Sequence, residues 1–563
     1  MTELQIAESK AIHTLFERCS VIPAYAVRKP EEILLPCEDG VRLRTVVYRP
    51  ETDGAVPVVV MRSCYIQADH IYRARAEEFC ARGMAFVYQY CRGTGGSEGV
   101  WEPNVHERSD GMCFLNWLSD QSWAGNIGYL GCSYLAFTGW VLADIAPEKV
   151  KTFYLTHYGT FRHVSAYRDG LFRQDVLTSW AMENAGFPVT ADYIASARYM
   201  PQVEVDDAMW GGRLDWYRKW ITSTDPQDPY WNTDLWGMMK AIPTRVDRPV
   251  FIGEGWYDHH FASAIETYRA LPDATKRMSV LRIGAWNHSF EVVVDGHAAN
   301  GRHFENNDEL QAFDWFERIL CRGLLPEGRV EAYVIGEDRW MTTSDTSLTS
   351  SGELRLYLGA RDENGVGTLS LSPEAQPGEV KYDYDPQNPV MTHGAESLLH
   401  SKEHQGSLLQ PDVDPREDVI SFVSEPLQAD LPIYGNVRLC LSVASDAEDT
   451  AFTFKLMEVM PDGKAYHIRN GITTLGYRNG APRRVEYRPG ERVDITVDSW
   501  NIAWTIPKGS RIRLDVSSSN FPEYAIHSNH AGIWSLQKDT KVAEQTLFLG
   551  GRDGSYIVFP TDG

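Results

Sequence analysis

The chain has 563 residues, 43% of them hydrophobic, and carries 77 acidic against 54 basic side chains for a formal charge of −23. That length admits two or three domains and a large core. The sign of the charge argues against nucleic acid or an anionic membrane surface as a partner, because both are bound through Lys and Arg. Nine cysteines, an odd number, form no CxxC pair and no Cys/His cluster at zinc spacing. They read as free thiols in a reducing compartment, and no metal or cofactor is expected.

Residues 1–20 lack an apolar signal-peptide region, and no apolar run is long enough to span a bilayer, so a cytoplasmic location is expected. These residues read as a short amphipathic helix with Leu4, Ile12, Leu15 and Phe16 on one side. Val41 to Tyr48 alternates as a half-buried strand, and Val58 to Met61 is an apolar run typical of a buried one. Residues 70–82 read as helix, Met84 to Tyr90 as strand, and 108–119 as helix with Met112, Leu115 and Leu118 inward. This βαβ rhythm predicts a mainly parallel sheet with helices on both faces.

Residues 128–136 read Gly-Tyr-Leu-Gly-Cys-Ser-Tyr-Leu-Ala. An apolar strand ends in Gly131, Ser133 follows, and a helical segment begins. Such a layout lifts a serine hydroxyl above a sheet on a sharp strand-to-helix turn. Ser133 is therefore the candidate nucleophile, and the reaction class it implies is acyl transfer through a covalent ester.

Between about 146 and 241 strand signals thin out and Trp180, Trp210, Trp216, Trp220, Trp231 and Trp236 crowd in. We read this insertion as a helical cap above the active-site rim. Most of its tryptophans should pack internally, while a few, Trp180 among them, should line the substrate pocket. The rhythm then resumes. Pro249 to Gly253 is a strand running into Asp258, and Met278 to Gly284 is a strand running into His288. Serine, acid and base thus arrive in the order this kind of sheet requires, each just past a strand end. A helix over 307–322 closes the unit. From about 330 short alternating strands follow one another, as at Leu354–Leu358, Val437–Leu441 and Ile512–Val516, with turns such as Pro461–Lys464 between them. The expected class is α/β: an α/β-hydrolase core over 1–145 and 242–328, a helical cap over 146–241, and a C-terminal β-sandwich or jelly roll over 329–563.

Several motifs resemble those of the cocaine esterase and α-amino acid ester hydrolase family, which is related to X-prolyl dipeptidyl aminopeptidases. They are Arg62–Tyr65, Cys91–Gly99, Gly131–Leu135, Gly255–Asp258, Trp286–His288, Asp449–Leu456 and Ser517–Pro522. The resemblance covers nearly the whole chain. It implies the same three-part architecture, a triad of Ser133, Asp258 and His288, and an oxyanion hole formed by the Tyr65 hydroxyl and the Tyr134 backbone N–H. Three departures from the family pattern stand out: Ala136 for a glycine, Cys64 for a proline, and the pair His259 and His260 directly after the acid. The two histidines read either as solvated loop residues or as polar lining of an acyl pocket.

The expected function is hydrolysis of a small carboxylic ester or amide through an acyl-enzyme. An X-prolyl or α-aminoacyl aminopeptidase or acyltransferase with the same triad is the alternative. Recognition of a free amino group then falls to cap carboxylates, of which Glu183, Asp192, Glu204, Asp206 and Asp207 are available. A more distant alternative is a non-catalytic carbohydrate-binding or scaffold protein, although Trp500 and Trp504 read better as core. A homo-oligomer remains open.

Overall fold

A computed structural model of the chain describes every residue except 1, 298–307, 345, 347, 349–350, 414–415, 552–553 and 562–563. Ten strands form the N-terminal sheet. In chain order they begin β1 (Glu31–Pro36), β2 (Arg42–Tyr48), β3 (Val56–Ser63), β4 (Ala85–Tyr90), β5 (Ala124–Cys132) and β6 (Val150–Thr156). A two-strand hairpin, β7 (Tyr167–Arg168) and β8 (Leu171–Phe172), stands apart from this sheet. The sheet resumes with β9 (Val250–Tyr257), β10 (Val280–Asn287), β11 (Arg329–Val334) and β12 (Arg339–Thr343).

The spatial order is β1-β2-β4-β3-β5-β6-β9-β10-β11-β12. Every pairing from β4 through β11 is parallel, and the pairings at both edges are antiparallel. Parallel strands covered by helices on both faces read as unbroken apolar runs. Val58 to Met61 and all eight residues of β9 are buried accordingly.

Two boundaries differ from the sequence reading. Val150–Thr156 was assigned to the cap, yet it is a central strand paired with β5 on one side and β9 on the other. Its short run, Val-Lys-Thr-Phe-Tyr-Leu-Thr, is overshadowed by the aromatic segment that follows. The inserted cap therefore occupies the chain between β6 and β9. Its longer helices are Gln174–Glu183, Asp215–Thr222 and Asp234–Ala241. The second correction lies at residue 329. β11 pairs in parallel with β10 and β12 returns beside it, so the hydrolase sheet runs on to Thr343.

Helix α1 (Glu3–Phe16) forms as expected, with a Thr2–Gln5 capping box. It is less amphipathic than its sequence suggests: Phe16 is fully buried against Phe79 and Phe313, while Leu4 is 68% exposed. Helices α2 (Asp69–Ala81) and α3 (Glu107–Ser119) follow β3 and β4. The predicted 307–322 helix is described from Asp308 to Phe316 and continues as a π-helical turn through Cys321; residue 307 lies outside the described residues. The C-terminal part is β-rich: among the described residues eleven strands are hydrogen-bonded along one path and a twelfth, Val493–Ile506, pairs beside Leu431–Ser445. Trp504 is fully buried there and Trp500 packs beneath Arg173. Among the described residues no helix is long and apolar enough to cross a membrane.

One buried ion pair fixes the floor of the sheet's upper rim. Arg62, at the end of β3, is fully buried and its Nη1 donates to Glu107 Oε2 at 2.6 Å and to the Glu107 carbonyl at 3.0 Å. Its Nε donates to Gln89 Oε1 at 2.9 Å. Removing one partner of such a pair strands the other charge in low dielectric, which typically costs about 3–5 kcal/mol. Glu107→Ala is therefore expected to lower the urea midpoint of the hydrolase unit by an amount in that range; an unchanged midpoint contradicts the assignment.

Candidate active site

The first functional side chain is placed by a backbone constraint. β5 ends at Cys132, helix α4 (Tyr134–Trp140) begins at Tyr134, and Ser133 between them has φ 58° and ψ −127°. A non-glycine residue in such a region is strained and persists only where its surroundings over-determine it. Here the Ser133 N–H donates to the Thr156 carbonyl at 3.0 Å, tying the turn to β6. Gly131 has no room for a side chain: a Cβ there lies 2.2 Å from the Leu135 carbonyl oxygen. Ala136, fully buried, is small enough to keep α4 packed against the strand.

Asp258 follows β9 and His288 follows β10, so all three residues stand on one rim of the sheet. His288 Nε2 lies 2.8 Å from Ser133 Oγ, and His288 Nδ1 lies 2.5 Å from Asp258 Oδ2. The other carboxylate oxygen of Asp258 accepts the His260 backbone N–H at 2.6 Å. Burial pushes the Asp258 carboxyl up, but the charge interaction and hydrogen bond with His288 outweigh it and hold the group well below the usual carboxylate range. Asp258 is thus an ionised, fully buried acceptor.

Tyr65 faces the same pocket, and its Oη accepts a hydrogen bond from Trp180 Nε1 at 2.9 Å. The Tyr134 N–H is at the first position of α4, where no partner exists within the helix. The Tyr134 ring is fixed independently: its Oη accepts from the Asn104 N–H at 2.8 Å and donates to Glu107 Oε1 at 3.1 Å. Trp180 stacks on Tyr134 and on Trp220. The predicted residues Ser133, His288, Tyr65, Tyr134, Trp180, His259 and His260 all line one cavity of about 330 Å³.

His259 and His260 are not solvated loop residues. Each is 3% exposed, because the turn after β9 runs beneath the cap. His260 Nδ1 lies 2.8 Å from Ser165 Oγ, and the His259 ring packs 4.8 Å from that of His288. Burial pushes both imidazoles well below their ordinary value, and they stay neutral. Of the five cap carboxylates, Glu183 alone lines the cavity. Asp192 caps a helix, and Asp206 and Asp207 pair with Arg218.

Three further residues escaped the sequence reading. His157, just past β6, is fully buried with its ring 5.3 Å from His288 and 4.0 Å from Phe290. Its signal was the same strand-end rule that found Ser133, had β6 been recognised. Glu254 lies inside β9 and is fully buried. Burial, then the nearby Asp258 charge, pushes it well above the usual range, so it is held protonated. Ser397 comes from beyond the sheet: its Oγ accepts the His288 backbone N–H at 2.8 Å and donates to the Tyr257 carbonyl at 2.6 Å.

Burial pushes His157 down to about 3. Folded, it is neutral below pH 6.5; unfolded, it takes up a proton there, so its contribution to stability is lost as pH falls from 6.5 toward about 3. Relative to His157→Asn, the wild type should lose about 1.4 kcal/mol per pH unit across that window, one proton's worth. Paired urea titrations check this, and parallel pH profiles for the two proteins contradict it.

Residues 39–290 match the X-Pro dipeptidyl-peptidase (S15) family, and residues 323–558 match the X-Pro dipeptidyl-peptidase C-terminal non-catalytic domain. The chain is 29% identical to the cocaine esterase of Rhodococcus sp. (strain MB1 Bresler), over 94% of this chain and 97% of that protein. It is 24% identical to a putative serine esterase of Mycobacterium bovis, over 90% and 93% of the two chains. Among solved structures, an α-amino acid ester hydrolase superposes with a TM-score of 0.79 at 22% identity, covering 97% of each chain. An aminopeptidase from a marine sediment thaumarchaeote superposes with a TM-score of 0.72 at 19% identity, over 96% and 97%.

Proposed function

Because the chain belongs to the CocE/NonD, X-Pro dipeptidyl-peptidase-like family of serine hydrolases, we propose that it cleaves a small carboxylic ester or amide through an acyl-enzyme on Ser133. The observation that carries this reading is the unbroken chain of contacts from Ser133 Oγ to His288 Nε2 and from His288 Nδ1 to Asp258.

In this mechanism the Ser133 hydroxyl donates its proton to His288 as Oγ attacks the carbonyl carbon. The imidazolium that forms is stabilised by the ionised Asp258, which also fixes the ring's orientation. Negative charge develops on the carbonyl oxygen, and two donors meet it: the Tyr134 N–H and the Tyr65 hydroxyl. Trp180 matters here. Its N–H occupies one acceptor site on Tyr65 Oη and leaves the phenol's own proton for donation. Burial pushes the Tyr65 phenol well above its ordinary value, so it remains a donor throughout. His288 then returns its proton to the leaving group, and water resolves the acyl-enzyme by the reverse steps.

Ester hydrolysis is favoured over the aminopeptidase alternative by the cavity lining. A free α-amino group calls for convergent carboxylates, and Glu183 is the one acidic side chain of the cap that faces the cavity. The identity to cocaine esterase over nearly the full length of both chains supports the same preference.

Ser133→Ala is expected to lower kcat on a 4-nitrophenyl ester by at least about 10⁴-fold and to abolish labelling by a fluorophosphonate. Retained labelling overturns the assignment of the nucleophile. Tyr65→Phe removes one oxyanion donor and should cost about 10² to 10³ in kcat with little change in KM. A variant as fast as wild type removes Tyr65 from the mechanism.

A further inference from the structure

The cavity holds a second charged group that the mechanism does not use. Arg162 lines it beside His259 and His260 and is only 7% exposed. Its guanidinium lies over the ring of Trp220 at 4.8 Å and near that of Trp236 at 5.9 Å. These faces attract the cation but accept no strong hydrogen bonds. Among the described residues nothing ion-pairs or hydrogen-bonds with the Arg162 side chain, and its buried Nε has no partner.

This is an expensive arrangement. A guanidinium is always charged and carries five donors, and a buried charge is ordinarily matched by an acid. Two other deeply buried arginines are matched in this way: Arg62 has Glu107 and Arg173 has Glu396. Among the described residues none of the acids near Arg162 pairs with it. Asp258 is committed to His288 and to the His260 N–H. Glu254 is held protonated. Glu183 is exposed and forms no ion pair with Arg162 among the described residues.

We infer that the substrate supplies the missing anion: the ester or amide cleaved at Ser133 also carries a carboxylate, or an equivalent anionic group, that Arg162 binds inside the cavity. The planar fork suits a carboxylate bidentately, and stacking on Trp220 holds that fork in place. The neutral histidines beside it add no competing cation. The inference rests on the hydrolase reading above and specifies its substrate class.

The test compares matched ester pairs. Mono-4-nitrophenyl adipate against 4-nitrophenyl hexanoate places a carboxylate on the acyl part, and 4-acetoxybenzoate against phenyl acetate places it on the leaving part. For wild type, kcat/KM should favour the anionic member of one pair by on the order of tenfold to a hundredfold, as a charge-assisted contact predicts. The pair that responds locates Arg162 relative to the scissile bond. In Arg162→Met that ratio should fall to about one, and in Arg162→Lys to an intermediate value, because the charge remains while the fork is lost. Using a ratio within one protein cancels any general loss of activity or folded fraction. Turnover of the neutral esters with no anionic preference in either pair overturns the inference and leaves the hydrolase reading standing. A preference that survives in Arg162→Met also overturns it. Absence of both neutral-ester turnover and fluorophosphonate labelling in wild type removes the hydrolase reading, and this inference with it.

Discussion

A carboxylate with no exposure to solvent, Asp258, sets the terms for everything around it. Burying such a charge costs several kcal/mol unless it is paired and its oxygens are hydrogen-bonded. Two contacts offset that cost, the His288 imidazole on one oxygen and the His260 N–H on the other. Glu254 and three of the four imidazoles around Asp258 are kept neutral. Glu254, four residues earlier on the same strand, is driven protonated by burial and by the Asp258 charge itself. Two carboxyls in one low-dielectric site are thereby split, one ionised and one neutral. Burial keeps His157, His259 and His260 neutral against the pull of the Asp258 charge. Of the four imidazoles clustered here, His288 is the one that reaches the cavity from a partly exposed position, with 26% of its side chain accessible. The design leaves a single pathway for proton movement between the serine and the acid.

The C-terminal domain takes part in holding that geometry. Residues 397–401 run between the cap and the sheet rim. On the sheet side, Ser397 bridges the His288 N–H and the Tyr257 carbonyl. On the cap side, Asp175 accepts the backbone N–H groups of Leu399, His400 and Ser401. Glu396, next in the chain, pairs with the buried cap residue Arg173 and lies near Arg469 of the β domain. The loop that carries the base is therefore braced from all three parts of the molecule. This explains why a hydrolase sheet carries so large an all-β appendage: without it the His288 N–H loses its acceptor and the cavity loses the wall that includes Leu399.

Ser133, Asp258 and His288 were legible in the sequence because each follows an apolar strand at a fixed offset, and strand ends on a parallel sheet share one rim. The same rule did not reach His157, since β6 was hidden at the start of the aromatic cap segment. β11 and β12 were misassigned because a strand's sheet is chosen by its pairing partners, and alternation alone does not name them. The burial of His259 and His260 was open in the sequence because it depends on a cap that folds over them from a segment some hundred residues earlier; His260 meets Ser165 at a separation of 95. Ser397 had no signal at all: a serine that acts on a backbone N–H 109 residues away leaves no local pattern.

The same distinction between global and local explains how a chain with a charge of −23 can favour an anionic substrate. Charges on the outer surface act through water and salt, where their influence decays over about 8 Å at physiological ionic strength. They slow the approach of an anion but contribute little once it has entered the cavity. Inside, the walls are aromatic and the histidines neutral, so the Arg162 cation faces its ligand with little screening. A lysine in its place keeps the charge but neither lies flat on Trp220 nor presents a fixed pair of donors. The aromatic crowding of the cap, which by sequence reads as internal packing, also supplies the surface that holds a bare guanidinium in the cavity that Ser133 lines.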